Sequence, residues 1–149
     1  MAFIYDSRVT VRSVIDNLDA VGLPEGESEI SITTHDAFLK VTPREEGDLI
    51  VISYSETVEG DRIYTEITLD GGTVTLARHG ATEYTIRFTE GEEYVGIYEV
   101  APYKFDMRVL TKRIRNGVTR RGGELRINYS MNVGGAEKSC RMNIALEVK

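Results

Sequence analysis

The sequence is poor in several residue types, and each shortage excludes a class of protein. Its 149 residues include one cysteine, Cys140, so no disulfide can form within the chain. No apolar run approaches the roughly 18 residues of a transmembrane helix. The N-terminus lacks the basic and apolar segments of a signal peptide. These shortages predict a protein of the reducing cytoplasm that has no membrane partner.

Metal ligands and catalytic motifs are scarce as well. The chain has two histidines, His35 and His79, and no spacing of His, Cys and carboxylates is typical of a zinc site. Phosphate-binding loops and dinucleotide fingerprints are absent. Cys140 shares the core-facing phase of its strand, which predicts an inert thiol, and a Cys–His nucleophile pair is the alternative. We therefore expect no enzymatic activity, no catalytic residue, no metal and no cofactor.

Charge is distributed unevenly along the chain. The net charge of -6 differs from the basic balance of general nucleic-acid binders, so nucleic acid is not an expected partner. Residues 104–149 hold 11 basic and 4 acidic residues, whereas residues 1–103 hold 7 basic and 20 acidic residues. Two interpretations follow. Either the two parts attract one another across neighbouring strands, or the C-terminal part exposes a basic patch for an anion.

Alternation of apolar and polar residues with a period of two dominates the chain. Ile63, Ile67 and Leu69 alternate with polar residues, and turn signals such as Asp70-Gly71-Gly72 separate the alternating segments. Strands that recur roughly every 8–12 residues with short connections predict an antiparallel meander. Closure hides both edges of such a sheet. The prediction is an all-β fold, with residues 1–149 forming a single closed barrel of about eight to ten strands.

The interior of the predicted barrel is either a packed core or a cavity for a small ligand. Arg78 continues the inward phase of Val74 and Leu76, and a buried guanidinium needs a carboxylate from the protein or an anionic group from a ligand. Most buried charges are paired internally, which favours a structural salt bridge. A filled interior, with Arg78 paired to a protein carboxylate, would exclude a ligand.

Tyrosines give a second indication of a ligand site. Buried phenols orient the polar groups of ligands, so three tyrosines near strand ends are predicted ligand contacts together with Arg78: Tyr98, Tyr103 and Tyr129. The competing interpretation is that tyrosine simply favours half-exposed positions in strands.

A basic segment at residues 112–121 contains five cations and no acid. It is predicted to be a loop that projects from one end of the barrel and contacts an anion or a partner. The alternative is a solvated loop that prevents edge pairing. No aromatic residue lies between the arginines, so a base-stacking platform is not expected. The five candidate contacts are Lys112, Arg113, Arg115, Arg120 and Arg121.

Several motifs resemble those of a known family. They are the string G-G-x-V-x-L-x-R-x-G from Gly71, the run from Tyr98 to Pro102-Tyr103, and Gly122-Gly123-Glu124-Leu125-x-Ile127-x-Tyr129. Over residues 28–149 the chain is similar to the YwiB-like family of uncharacterised bacterial β-barrel proteins, which is grouped with the calycins, the lipocalin-like barrels. The resemblance implies a small closed calycin-like barrel and no assigned activity. Lys104 stands where the family usually has glycine, which predicts a shallower bend or local strain there.

The sequence therefore favours a non-enzymatic barrel that binds a small amphipathic or anionic molecule in or at its mouth. The alternative is a structural or interaction module that contacts protein or RNA through the outer surface and the basic 112–121 segment. Monomer and homodimer both remain open.

Overall fold

The computed structural model describes all 149 residues and consists of strands joined by turns. No helix is long and apolar enough to span a membrane. The ten strands are β1 (Phe3–Asn17), β2 (Glu29–Thr42), β3 (Leu49–Val58), β4 (Asp61–Asp70), β5 (Thr73–Gly80), β6 (Thr82–Phe88), β7 (Glu93–Val100), β8 (Tyr103–Asn116), β9 (Gly122–Val133) and β10 (Ala136–Val148).

All ten strands form one closed antiparallel barrel, which confirms the predicted fold. Each strand pairs with its neighbours in sequence, and β1 closes the ring by pairing with β10 from Ser7↔Val148 to Asn17↔Lys138. Closure leaves no free sheet edge at the two ends of the chain, which is the advantage that a long meander gains from forming a barrel.

The two ends of the barrel differ in packing. At the end that contains the turns at residues 43–48, 71–72, 89–92 and 117–121, inward side chains such as Leu39, Phe88 and Leu125 are fully buried. We call this the packed end. At the opposite end, here the open end, inward residues such as Ser31 and Thr33 are exposed. The apolar residues therefore fill one end of the barrel and leave space at the other.

The contact between β6 and β7 is unusually short. These strands pair only at Thr82↔Val100 and Glu83↔Glu99. Their turn instead bonds to β8, where the Gly91 amide donates to the Thr111 carbonyl at 2.9 Å and the Thr111 amide donates to the Glu92 carbonyl at 3.2 Å. These bonds extend the β7–β8 ladder beyond Glu93↔Leu110 and do not join β6 to β7.

The structure corrects the prediction of a basic loop at residues 112–121. Strand β8 continues to Asn116, with a bulge between Thr111 and Arg113. The Ile114 amide donates to the Glu90 carboxylate at 2.7 Å and so finds a partner next to the bulge. Because a bulge inserts one extra residue, it interrupts the alternation that marks a strand. The connection between β8 and β9 is therefore a short turn over residues 117–121.

Lys104 has the negative φ of an ordinary strand residue. Glu59 is the one residue other than glycine that has a positive φ. The ammonium of Lys104 lies 3.8 Å from the Glu99 carboxylate on the neighbouring strand. Replacement of the family glycine therefore places no backbone strain at this position.

Candidate functional site

The open end of the barrel contains a cavity of about 400 Å³. Of its 19 lining residues 14 are hydrophobic, including Ile67, Leu76, Met107 and Ile144. This volume lies within the range of roughly 300–1,000 Å³ that is typical of small-molecule sites. The barrel interior is therefore only partly filled by side chains.

A polar row crosses the wall of this cavity. Neighbouring members are directly paired across strands at Tyr54↔Thr65, Thr65↔Arg78 and Arg78↔Tyr84. Ring stacking extends the row at both ends, with centroids 4.6 Å apart for His35 and Tyr54 and 5.2 Å apart for Tyr84 and Tyr98. The row contains one side chain from each of six consecutive strands: His35, Tyr54, Thr65, Arg78, Tyr84 and Tyr98.

Arg78 has a partner within the protein. Its Nη2 donates to Oε1 of Glu56 at 2.5 Å, and Oε2 of Glu56 lies 3.6 Å from Nε2 of His35. Burial disfavours the charged guanidinium, but Tyr84 and Glu56 outweigh this effect and raise the pKa of Arg78. The charge of Arg78 is thus internally paired, as the structural interpretation predicted.

Some polar atoms of the row have no partner. Arg78 Nε and Thr65 Oγ1 are buried and form no hydrogen bond. Because neither atom has accessible surface, neither is a direct contact for a ligand in the cavity. Burial raises the pKa of Tyr54 and of Tyr84, so both phenols stay neutral and can donate as well as accept.

The structure brings together three of the four predicted ligand contacts. Arg78, Tyr98 and Tyr129 line the cavity. Tyr103 does not: it is 64% exposed and stacks on Phe105 with centroids 6.4 Å apart. The set of ligand contacts predicted from sequence did not include four other lining residues: Tyr54, Thr65, Tyr84 and Lys138 at the rim. Each of them lies on the inward-facing phase of its strand, which the alternation of the sequence identifies.

The two histidines do not activate Cys140. His35 stacks on Tyr54, and His79 is exposed. Burial raises the pKa of the Cys140 thiol to about 11, and that of the neighbouring Tyr129 well above its ordinary value. No three His, Cys, Asp or Glu residues cluster closely enough to hold a metal ion.

A second concave site lies on the outside of the barrel. It is a groove of about 470 Å³, lined by Arg12 of β1, Arg113 and Arg115 of β8, Arg126 of β9, and Arg141 of β10, together with Asn128, Asn143 and Met142. We call it the arginine groove. Two of the five cations of the basic segment, Arg113 and Arg115, line this groove.

The other three cations lie apart from the arginine groove. Arg120 forms an ion pair with Asp48 at 3.1 Å, and Lys112 and Arg121 are exposed near the bulge and in the turn. The basic segment is therefore divided between a strand face and a turn. The anion-contact set predicted from sequence is not one surface.

The comparisons with known proteins agree with this architecture. Residues 24–144 match the family described as "Domain of unknown function (DUF1934)". The "Uncharacterized beta-barrel protein YwiB" of Bacillus subtilis (strain 168) is 26% identical over 85 residues, which cover 57% of this chain and 60% of that protein. The crystal structure of that species' ywiB protein superposes with a TM-score of 0.82 at 23% identity, covering 98% of this chain and 93% of the other.

The match to the family covers most of the barrel, and the superposition shows the same fold. The chain therefore belongs to the DUF1934 family of YwiB-like β-barrel proteins.

Proposed function

We propose that the protein binds a small amphipathic molecule in the cavity at the open end of its barrel. The observation that carries this proposal is the cavity of about 400 Å³, in which apolar walls meet one polar row. Sites for small molecules combine a mostly hydrophobic lining with a few placed polar groups. The apolar part of the ligand would contact residues such as Ile67 and Met107.

The polar part of the ligand would face the polar row. Arg78 lines the cavity with Tyr54, Tyr84 and Tyr98, whose phenols offer hydroxyl groups. Because Glu56 already compensates the charge of Arg78, a carbonyl suits this place as well as a carboxylate. Support for an anionic ligand comes instead from Lys138 at the rim, which has no carboxylate within 4.0 Å.

The proposed role is non-enzymatic and cytoplasmic, without cofactor or metal. The buried thiol of Cys140 with its raised pKa and the paired charge of Arg78 support a binding site rather than a reaction site. A calycin-like bacterial carrier is the closest functional description, since lipocalin-like barrels, which have eight strands, hold one small ligand. Fold alone does not assign the ligand, so the site must be tested directly.

The test uses 1-anilinonaphthalene-8-sulfonate, an apolar anion whose fluorescence rises in apolar sites. We expect saturable binding to the native protein and at least a tenfold loss of affinity in Met131→Trp, because Met131 lines the cavity and an indole would fill it. Val95→Trp is the matched control, since Val95 is 61% exposed on the outside. Urea unfolding verifies that both variants fold. Equal binding by the two variants, or no binding by the native protein, would contradict the proposal.

A second candidate function is an interaction module that uses the outer face. The arginine groove supports it, because five cations from four strands converge there.

A further inference from the structure

We propose that the arginine groove binds the sugar–phosphate backbone of a single-stranded nucleic acid. This inference rests on the second candidate function and is independent of the cavity at the open end. The groove lies on the outer face of β1, β10, β9 and β8, whereas the cavity lies inside the barrel.

The register of the strands arranges the groove in two rows. The first row runs Arg12, Asn143, Arg126 and Arg115, directly opposite one another on four successive strands. The second row, two residues further along the strands, contains Arg141, Asn128 and Arg113. With strands about 4.8 Å apart, the first row spans about 14 Å, and the rows lie about 7 Å apart. An area of this size accommodates several phosphate groups.

The guanidinium groups of the groove are largely free of carboxylates. Only Arg126 has one within 4.0 Å, that of Glu124 at 3.2 Å. Arg115 and Arg126 lie directly opposite each other, and like charges in that arrangement repel. An arginine fork matches the oxygens of a phosphate bidentately, so a polyanion would remove the repulsion and satisfy the donors together.

The shape of the groove favours a chain over a single small anion. Beyond Arg115 and Arg126 it continues into a second concavity of about 390 Å³ that reaches Gly117 in the turn. Both concavities share these two arginines, so they form one path from β1 to the turn between β8 and β9.

The composition of the groove favours nucleic acid over protein. Met142 is the one hydrophobic residue among the eight that line the main concavity. Protein–protein interfaces are built around apolar and aromatic residues, whereas interfaces with nucleic acid are more polar and more positive. No aromatic side chain is available for base stacking, so the contact is to the backbone.

Two asparagines lie between arginines in the two rows, Asn143 in the first and Asn128 in the second. Their side-chain amides can exchange hydrogen bonds with sugars and base edges, which inorganic polyphosphate lacks. The groove therefore favours nucleic acid over a bare phosphate chain.

Binding through arginine–phosphate contacts releases counterions and is therefore sensitive to salt. For single strands the slope of log K against log salt is about −0.7 for each phosphate neutralised. Five arginines would give a slope of about −3.5, and each arginine removed would reduce it by about 0.7.

The experiment measures the fluorescence polarisation of a labelled single-stranded RNA of mixed sequence at NaCl concentrations between 50 and 200 mM. The RNA is about four times as long as the first row of groove residues, which spans about 14 Å. The groove variant is Arg113→Ser with Arg115→Ser and Arg141→Ser. The matched control removes three exposed arginines elsewhere, through Arg62→Ser, Arg87→Ser and Arg108→Ser. We expect the groove variant to lose at least tenfold in affinity and about 2 in salt slope, and the control to lose less than twofold.

Two further arms identify the ligand. Single-stranded RNA should bind at least threefold more tightly than inorganic polyphosphate, and comparison with DNA of the same sequence identifies which sugar the groove prefers. Equal losses in the groove and control variants would overturn the groove as the site. Groove-dependent binding of polyphosphate at the affinity of RNA would overturn nucleic acid as the ligand while retaining an interaction surface. Absence of binding to both RNA and DNA at 50 mM NaCl would overturn the proposal as well.

Discussion

Arg78 of β5 and Glu56 of β3 form an ion pair across an intervening strand, with Arg78 Nη2 and Glu56 Oε1 2.5 Å apart. Arg78 lines the cavity, so this pairing determines how much of its positive charge the cavity offers. Glu56 is thus the residue that most directly controls the electrostatics of the site.

Glu56→Gln should lower the free energy of unfolding by about 1–3 kcal/mol. The change leaves the guanidinium of Arg78 uncompensated, and its partial exposure keeps the loss at or below the range for fully buried pairs. Asp70→Asn is the matched control, because it breaks the exposed Arg44–Asp70 pair of 2.6 Å and should cost less than about 1 kcal/mol. Urea denaturation measures both. A loss no larger than that of the control would show that the pair does not stabilise the fold.

The same Glu56→Gln variant should bind the anilinonaphthalene sulfonate more tightly than the native protein. Removal of the carboxylate leaves the positive charge of Arg78 uncompensated. The attraction between this charge and the sulfonate is stronger inside a protein than in water. Titration of the fluorescent probe measures the change. Unchanged affinity would indicate that the sulfonate faces Lys138 at the rim rather than Arg78.

Stability should fall at alkaline pH partly because of Cys140. Burial raises the pKa of its thiol from 9.0 to about 11, so the folded state favours the neutral thiol. This stabilisation is complete below about pH 9 and is lost as the pH rises towards 11. Cys140→Ala should therefore make the alkaline decline in unfolding free energy shallower, without abolishing it, since the pKa of Tyr129 is raised as well. Urea unfolding between pH 7 and pH 11 measures the slope, and an identical slope in the variant would contradict the assignment.

Gly80→Ala should destabilise the barrel by at least about 2 kcal/mol. Gly80 has φ of 129°, and a Cβ at this position would overlap the carbonyl oxygen of Arg62 on β4. Gly72→Ala provides the control, because no atom lies within 4 Å of its added Cβ, and the change there should stay within about 0.5 kcal/mol. Thermal unfolding of both variants measures the difference. Similar midpoints would mean that β4 and β5 separate easily at this point.

Arg115→Ser should stabilise the free protein by about 0.2–1 kcal/mol. The change removes the like charge directly opposite Arg126, and such pairs are destabilising by about this amount. Low salt should enlarge the effect, since screening weakens it. Arg87→Ser, an exposed change on β6, should leave stability unchanged. If Arg115→Ser destabilised the protein instead, the groove would have to contain a compensating contact.

The barrel was predictable because alternation and short turns act locally. The phase of Ile63, Ile67 and Leu69 identifies one face of β4 without any knowledge of its neighbours. Most of the core follows in the same way. The bulge after Thr111 was not predictable, because it is held by the carboxylate of Glu90 from a different hairpin.

The cavity and the arginine groove were not predictable in detail, because they depend on the register between strands. Alternation within one strand does not determine that register. Phase alone places Arg78 inside the barrel, but only the pairing across β4 brings it to Glu56. Arg12 and Arg141 lie near opposite ends of the chain and meet on one face because β1 pairs with β10. The net charge of -6 therefore indicated little about the local charge on the outer face.

The short contact between β6 and β7 has a consequence for the topology of the whole molecule. Two residue pairs join these strands, whereas every other neighbouring pair shares a longer ladder. Loss of those two pairs and of the Tyr84–Tyr98 stacking would convert the closed barrel into an open ten-stranded sheet with β6 and β7 as its two edges. All other ladders would remain intact. The exposed edges could then pair with those of a second molecule, so this ladder is the shortest one that a strand-exchanged assembly would have to break.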